Sequence, residues 1–188
     1  RLIDVLTSCE EFELFSDLVA NDLVMMIKDL NGNHAVLRLL LANNFVHLGA
    51  DAQDDETRER GQSIRKDIYH IIATNCVEIC VNRQGCCIIQ RCLQSAPDPF
   101  RSEIVTVALN NVLALVQDPF GNYVIQYVLD LQNQETTNGT PHPNYTNKII
   151  RQMLHHISAL SCNKFGSNVI EKCLKSASSD VRQLMIDE

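Results

Sequence analysis

The sequence lacks the features that mark a membrane-spanning or secreted protein. No apolar run is long enough to cross a bilayer, and the first residues, RLIDVLTSCEEFELF, carry acids where a signal peptide would be basic and then apolar. Tryptophan is absent and aromatic residues make up only 5% of the 188 residues, a composition typical of a soluble helical protein. We therefore expect a cytoplasmic protein without a membrane partner.

Positive charge is also scarce, because 16 Lys and Arg stand against 23 Asp and Glu, for a net charge of −7. Residues 1–60 hold 5 basic and 12 acidic residues, so the whole excess lies there, much of it in ADAQDDETRER. A protein that coats nucleic acid indiscriminately needs a basic surface, and the charge argues against that class. A protein that binds RNA selectively is neither supported nor excluded.

Zinc-type spacing is missing although the chain has eight cysteines. Structural zinc sites usually show paired CxxC spacings, and no such pair occurs in the cysteine-rich segment. We therefore predict reduced thiols in apolar helices, with no metal and no cofactor, and keep a zinc site that includes His70 as the alternative. The cysteines of this segment are Cys76, Cys80, Cys86, Cys87 and Cys92.

Sequence motifs of catalysis are absent as well. The chain contains no nucleophile elbow, no P-loop and no HExxH, and the adjacent His155 and His156 would point to different faces of a helix. We therefore predict that the protein is not an enzyme, with no catalytic residue and no small-molecule substrate.

The chain does contain a repeat, because four segments align on one glycine each. The third, fourth, seventh and eighth residues after the glycine are apolar in every segment, which predicts an amphipathic helix with one buried stripe. A second apolar helical pattern precedes each glycine, so the unit is a helix, a tight turn and a helix. The segments are NGNHAVLRLLL from Asn31, QGCCIIQRCLQ from Gln84, FGNYVIQYVLD from Phe120 and FGSNVIEKCLK from Phe165.

The turn before each glycine holds Asp or Asn three residues earlier, which favours turn or capping chemistry. These residues are Asp29, Asn82, Asp118 and Asn163.

The spacing of the glycines predicts a stacked all-α solenoid. The spacings are 53, 36 and 45 residues, so a period of 36 leaves insertions of 17 and 9 residues, which we place at about 51–62 and 133–146. The whole of 1–188 is then one fragment of an array, with residues 1–15 ending a preceding repeat and 181–188 starting a following one. The four repeats cover about 16–50, 63–98, 100–134 and 145–180.

Positions one, two and five after each glycine are predicted to lie opposite the buried stripe, because positions one and five are an i, i+4 pair. If the second helices lie side by side, these triplets form one continuous exposed surface. The triplets are Asn33, His34 and Leu37; Cys86, Cys87 and Gln90; Asn122, Tyr123 and Gln126; and Ser167, Asn168 and Glu171.

The triplets match the edges of nucleobases. An Asn and Gln pair offers donors and acceptors that suit uracil, whereas the acceptor-only Glu171 suits the two adjacent donors of guanine. Cys86 with Gln90 offers one amide and one small thiol, which suits adenine. The middle residues would lie between neighbouring bases, where Tyr123 and His34 could stack.

These segments resemble the Pumilio/PUF family of RNA-binding repeat proteins. FGNYVIQ is similar to the uracil-type repeat of that family, FGSNVIEK to the guanine type and GCCIIQR to the adenine type. The resemblance implies a right-handed α-solenoid that binds single-stranded RNA, in messenger RNA 3′ untranslated regions, with one base per triplet. Because the family binds RNA antiparallel to its repeats, the implied site is 5′-GUA-3′, and the implied role is post-transcriptional regulation through effector proteins on the outer face.

The first unit departs from the family pattern, because Leu37 stands where the family usually has Gln. We expect the base opposite this unit to be left without a bidentate contact. Cys87 replaces a frequent Arg and should weaken stacking next to the adenine. The basic residues Arg38, Arg91 and Lys172 could approach phosphates or only solubilise the helix. The alternative function is a protein-binding scaffold of HEAT or armadillo type, which uses the same stacked helices.

Overall fold

A computed structural model describes residue 14 and residues 20–41, 55–131 and 144–188, and every regular element in these ranges is an α-helix. We number the four units by their glycines, from unit 1 at Gly32 to unit 4 at Gly166. The helices are α1 Leu23–Lys28 and α2 Gly32–Leu41 in unit 1; α3 Asp55–Thr74, α4 Cys76–Cys80 and α5 Gly85–Ser95 in unit 2; α6 Phe100–Asn110, α7 Val112–Leu115 and α8 Gly121–Leu131 in unit 3; α9 Tyr145–Met153, α10 Ile157–Cys162 and α11 Gly166–Ser176 in unit 4; and α12 Ser179–Ile186.

The second helix of each unit begins at its glycine, as the repeat predicts, but the segment before the turn was predicted wrongly. It is not one helix, because the helix is interrupted about ten residues before the glycine. In units 2 and 3 the break falls at Asn75 and Asn111, whose side-chain amides donate to the carbonyls of Ile71 and Val107 at 2.8 Å each. These bonds compete with helical geometry, so a short helix follows each break.

In unit 4 His156 takes the place of this asparagine, and the unusual backbone conformation lies at the residue before it. His155 has a φ of 71°, in the left-handed region that non-glycine residues rarely adopt, and α10 starts two residues later. The carboxylate of Glu188 accepts from the backbone N–H of His155 at 2.6 Å and of Ile157 at 3.0 Å. It therefore satisfies donors at the start of α10 that the helix itself cannot.

The predicted turn chemistry is confirmed in all four units. The side-chain Oδ1 of the Asp or Asn accepts from the backbone N–H groups two and three residues later, the second being that of the glycine. In unit 3 these distances from Asp118 are 2.8 Å to Phe120 and 2.7 Å to Gly121. Asp29, Asn82 and Asn163 make the same pair of bonds in units 1, 2 and 4.

The glycine is required by close packing between the short helix and the second helix. A Cβ atom built on Gly121 would lie 2.9 Å from the carbonyl oxygen of Leu115, and one on Gly32 would lie 2.6 Å from that of Met26. A side chain at this position would push the two helices apart, so the tight turn depends on glycine.

The units stack into the predicted solenoid. The second helices α2, α5, α8 and α11 contact one another in that order, and α3 packs on α6 where the rings of Tyr69 and Phe100 stack with centroids 5.0 Å apart. The predicted apolar stripe forms the core: all of its residues are buried except Ala35 and Leu174, which are partly buried against it. The second helices therefore form one uninterrupted face.

The ends of the predicted insertions are helical. Residues 55–62 form the first turns of α3, and Asn144 caps α9 through a 2.9 Å bond from the N–H of Asn147. The remaining parts of these insertions, 51–54 and 133–143, lie outside the described residues, as does the preceding segment 1–15 apart from residue 14. The predicted repeat boundaries stay predictions. Among the described residues no helix is both long and apolar enough to cross a membrane.

Candidate nucleic-acid interface

The middle residues of the four triplets all point to solvent along the second helices. His34, Cys87, Tyr123 and Asn168 are exposed, and 54% of the surface of Tyr123 is accessible. An aromatic side chain with this much exposed surface is available to a partner outside the chain. These four side chains therefore define the surface that we call the triplet face, which runs along α2, α5, α8 and α11.

The first residues of the triplets are not exposed, and that expectation is wrong for three of the four units. Asn33 is 8% accessible, Cys86 5% and Asn122 2%, while Ser167 is half-buried. The Cα–Cβ bond of a helical residue points back toward the helix N-terminus, so a side chain in the first turn lies over the preceding turn. In units 1, 2 and 3 the triplet therefore has a buried, an exposed and a partly accessible member.

All four first residues donate to the carbonyl oxygen three positions earlier. Asn122 Nδ2 lies 3.0 Å from the oxygen of Pro119 and 2.9 Å from that of Asp118, so its donors are occupied by the turn. A small side chain with a donor is what this position requires. The corresponding distances are 3.0 Å from Asn33 to Leu30, 3.3 Å from Cys86 to Arg83 and 3.5 Å from Ser167 to Lys164.

The third residue carries the hydrogen-bonding groups that remain accessible. In unit 3 the Nε2 of Gln126 donates to the Oδ1 of Asn122 at 2.9 Å, which fixes the orientation of the Gln126 amide. One N–H and the carbonyl oxygen of that amide are left for a partner outside the chain. Gln90 is also half-buried, whereas Leu37 in unit 1 has no polar atom to offer.

Glu171, the third residue of unit 4, is exposed and ionised. Its Oε1 lies 2.5 Å from the Nζ of Lys175, one helical turn later, and this hydrogen-bonded cation lowers the pKa of the Glu171 carboxyl. The side chain can therefore accept hydrogen bonds but not donate them at neutral pH.

The basic residues near the triplet face already have partners in the chain. Lys172 Nζ lies 2.6 Å from Asp130 Oδ2 and ties α11 to α8, and Arg91 donates to Gln94 at 2.8 Å. Any phosphate contact by these two residues would compete with these bonds.

A groove of about 470 Å³ between units 1 and 2 includes residues that the triplet pattern did not identify. Gln84, Gln94 and Tyr127 line it together with His34 and Gln90. Gln84 directly precedes the glycine of unit 2, where units 3 and 4 have phenylalanine. This change from an apolar to a polar residue is the sequence signal that could have identified Gln84 as a residue of the groove.

The cysteine-rich segment does not assemble a metal site. Cys76 and Cys80 are buried with their sulfur atoms 3.7 Å apart, and burial raises the pKa of Cys92 to about 12 and, with Cys87 beside it, that of Cys86 to about 12. Within the described residues no cluster of three or more His, Cys, Asp or Glu could hold a metal, so the zinc alternative that includes His70 has no support.

Comparison with known proteins identifies a repeat family. The model of the NOP9-like PUF repeat domain matches residues 5–188. A Pumilio domain-containing protein of Schizosaccharomyces pombe is 34% identical over 188 residues, which is all of this chain and 24% of that protein. Pumilio homolog 12 of Arabidopsis thaliana is 32% identical over 188 residues, again all of this chain and 27% of that protein. The chain thus spans about a quarter of the length of these relatives.

Solved structures show the same fold. The Puf4 RNA binding domain bound to the HO endonuclease RNA 3′ UTR recognition sequence superposes with a TM-score of 0.72 at 32% identity, over 98% of this chain and 50% of that chain. The Puf3 RNA binding domain, bound to a Cox17 RNA 3′ UTR recognition sequence, gives a TM-score of 0.66 at 23% identity, over 98% of this chain and 48% of that chain, which shows the fold alone.

These matches favour a Pumilio-type array over the HEAT or armadillo alternative. PUF repeat proteins are a non-enzymatic, RNA-binding family, in agreement with the prediction that the protein is not an enzyme. The glycine-centred turn, the side-by-side second helices and the family match agree with one another. The chain belongs to the PUF family of Pumilio-type repeat proteins.

Proposed function

We propose that the triplet face binds single-stranded RNA in a sequence-specific manner, with one base opposite each unit. The observation that carries this proposal is the regular alternation along α5, α8 and α11 of an exposed middle residue and an accessible hydrogen-bonding third residue. The middle residues, such as Tyr123, separate successive bases, and the third residues, such as Glu171, contact their edges.

The chemistry of the third residues assigns one base to each of three units. Glu171 accepts from the N1–H and N2 amine of guanine, with the Ser167 hydroxyl beside it. The Gln126 amide offers one donor and one acceptor, which pair with the N3–H and a carbonyl of uracil. Gln90 pairs with the N1 and N6 atoms of adenine, whose bare C2–H lies against Cys86. With RNA antiparallel to the repeats, the proposed site is 5′-GUA-3′.

The burial of Asn122 changes how the uracil unit works. Since its donors are bound to the turn and its Oδ1 accepts from Gln126, the buried Asn122 acts by positioning the Gln126 amide. The amide of Gln126 is therefore the main base-recognising group of unit 3, held in place by the 2.9 Å bond.

Similarity to RNA-bound structures supports this proposal. The Puf4 RNA binding domain, at 32% identity, is bound to a 3′ UTR recognition sequence, and the present chain aligns with half of it. By the same argument we propose messenger RNA 3′ untranslated regions as targets. Post-transcriptional regulation in the cytoplasm, through effector proteins on the outer face, is the role that we propose for this protein.

The test exchanges the guanine unit for a uracil unit. The double variant Ser167→Asn and Glu171→Gln copies the Asn122 and Gln126 pair of unit 3. Preference at that base should move from guanine to uracil, by about 1–3 kcal/mol in analogy with bidentate base contacts in DNA. The measurement is a fluorescence anisotropy titration with RNAs that differ only at this base.

A matched control separates the carboxylate from its ion pair. Lys175→Gln removes the cation that contacts Glu171 but leaves the carboxylate, so guanine should still be preferred. If the double variant continues to choose guanine, Glu171 does not contact that base and the proposed assignment of guanine to unit 4 is wrong.

A further inference from the structure

The residue directly before each glycine differs between the two halves of the array. Units 3 and 4 have Phe120 and Phe165 there, and Phe120 packs against the apolar core. Unit 2 has Gln84 instead, which is half-buried and whose Oε1 lies 3.4 Å from the Nδ2 of Asn33 in unit 1. Gln84 therefore brings a side-chain amide from unit 2 to the triplet of unit 1.

Unit 1 is also the unit whose third triplet residue, Leu37, has no hydrogen-bonding side chain. In unit 3 the Oδ1 of Asn122 accepts from Gln126, whereas Leu37 in unit 1 cannot donate to the Oδ1 of Asn33. The Asn33 amide group is held on the turn by bonds to Asp29 at 2.9 Å and Leu30 at 3.0 Å, as in unit 3. Asn33 thus presents an acceptor that has lost its intrahelical partner.

The geometry points to Gln84 as a base-contacting residue for unit 1. Its side chain supplies, from the neighbouring unit, the amide that Leu37 does not provide. This inference rests on the proposed RNA function and adds a specificity-determining residue outside the triplets. The groove of about 470 Å³ is open to the triplet face and is lined by Asn33, His34, Leu37 and Gln84, a volume within the usual range of ligand sites. A base entering it would lie between His34 and Cys87, the exposed middle residues of units 1 and 2.

Leu37 determines which base this arrangement favours. The Gln84 amide supplies a donor and Asn33 an acceptor, so the base must offer an acceptor and a donor side by side. The third position of the base edge then faces Leu37, where a polar group would lose its hydrogen bond to water without replacement. Uracil and cytosine carry O2 there and guanine carries its N2 amine, whereas adenine carries only C2–H. The structure thus extends the proposed site to 5′-GUAA-3′.

The experiment uses the full 188-residue chain and four labelled RNAs in which GUA is followed by A, C, G or U. We expect the A oligonucleotide to bind at least about fivefold more tightly than the others, the lower limit for one specific base contact. Gln84→Phe, the residue of units 3 and 4, should bring the four affinities to within about twofold of one another. Gln84→Glu, which keeps the length of the side chain but removes the donor, should also lose the preference for A, and it decides the matter if the phenylalanine variant does not fold.

Two controls make the outcome specific. Gln183→Ala removes an exposed glutamine of α12, outside the groove, and it should keep the preference for A. An RNA with CUA in place of GUA should bind the wild type and both Gln84 variants more weakly. If the G dependence holds but the fourth base has no effect, or if the Gln84 variants keep the preference for A, this inference is overturned while the proposed function stands. If the wild type binds the GUA and CUA RNAs with equal affinity as well, the proposed function is wrong and this inference fails with it.

Discussion

Asn122 and Gln126 belong to one triplet, yet the structure gives them different roles, and a pair of alanine variants separates these roles. Asn122→Ala removes the two bonds of 2.9 and 3.0 Å to the carbonyls of Asp118 and Pro119. Each such bond contributes about 0.5–1.5 kcal/mol net, so the free energy of unfolding should fall by about 1–3 kcal/mol. A loss of about 1 kcal/mol lowers the melting temperature by about 2–4 °C in a chain of this size.

Gln126→Ala should behave in the opposite way. The side chain is half-buried and makes one bond to Asn122, so its removal should cost less than about 1 kcal/mol of stability. Affinity for an RNA with uracil opposite unit 3 should nevertheless fall by about 1–3 kcal/mol, because the main base-contacting amide is gone.

Urea unfolding followed by circular dichroism measures the stability of both variants, and anisotropy titration measures their RNA affinity. The reasoning is refuted if Asn122→Ala unfolds within about 0.5 kcal/mol of the wild type, the range of ordinary surface substitutions, and still loses uracil selection. That result would mean that the Asn122 amide contacts the base and not the turn.

Two further predictions concern the exposed ring and the acidic turn. Tyr123→Ala should weaken RNA binding by about 1–3 kcal/mol with little change in base choice, because stacking on a ring tolerates any base; unchanged affinity in the titration would mean that the ring does not lie between bases. Asp29→Asn should resist acid better than the wild type. Hydrogen bonds from the backbone N–H groups of Gly32 and Asn31 lower the pKa of the Asp29 carboxyl in the folded protein. The carboxylate therefore contributes to stability above the ordinary Asp pKa of about 3.9, and this contribution is lost as the pH falls through the lower folded pKa. The amides of Asn82 and Asn163 make the same bonds without titrating, so urea unfolding at neutral and acid pH should show a smaller loss of stability for the Asp29→Asn variant than for the wild type, and equal losses would contradict the assignment.

The fold could be predicted from the sequence because its signals are local and repeated. Each unit places a turn residue three positions before a glycine and apolar pairs after it, and four copies remove the ambiguity of any single one. The break in the first helical segment was missed because Asn75 and Asn111 interrupt patterns whose apolar spacing continues through them. Only the side-chain bonds to the i−4 carbonyls reveal that the helix stops there.

The site could be predicted in part, for a similar reason. Helical periodicity places Tyr123 and Glu171 on an accessible face, and both are exposed. It does not show that a residue in the first turn, such as Asn122, folds back onto the carbonyls of the turn, because periodicity describes the direction of a side chain and not its hydrogen bonds. The bond between Gln84 and Asn33 joins residues 51 positions apart, so no local pattern could have indicated it.

The bonds that close each turn run from a side chain to the backbone of the same unit. An Asp or Asn, a glycine and a small donor side chain thus form a self-contained cassette, because the residues that determine the turn all belong to one unit. Such a cassette can be exchanged between positions in the array, with mainly apolar surfaces to be matched at its borders. Two seams are exceptions: a cut between units 1 and 2 would separate Gln84 from Asn33, and a cut between units 3 and 4 would separate Lys172 from Asp130, so each pair would have to be moved together.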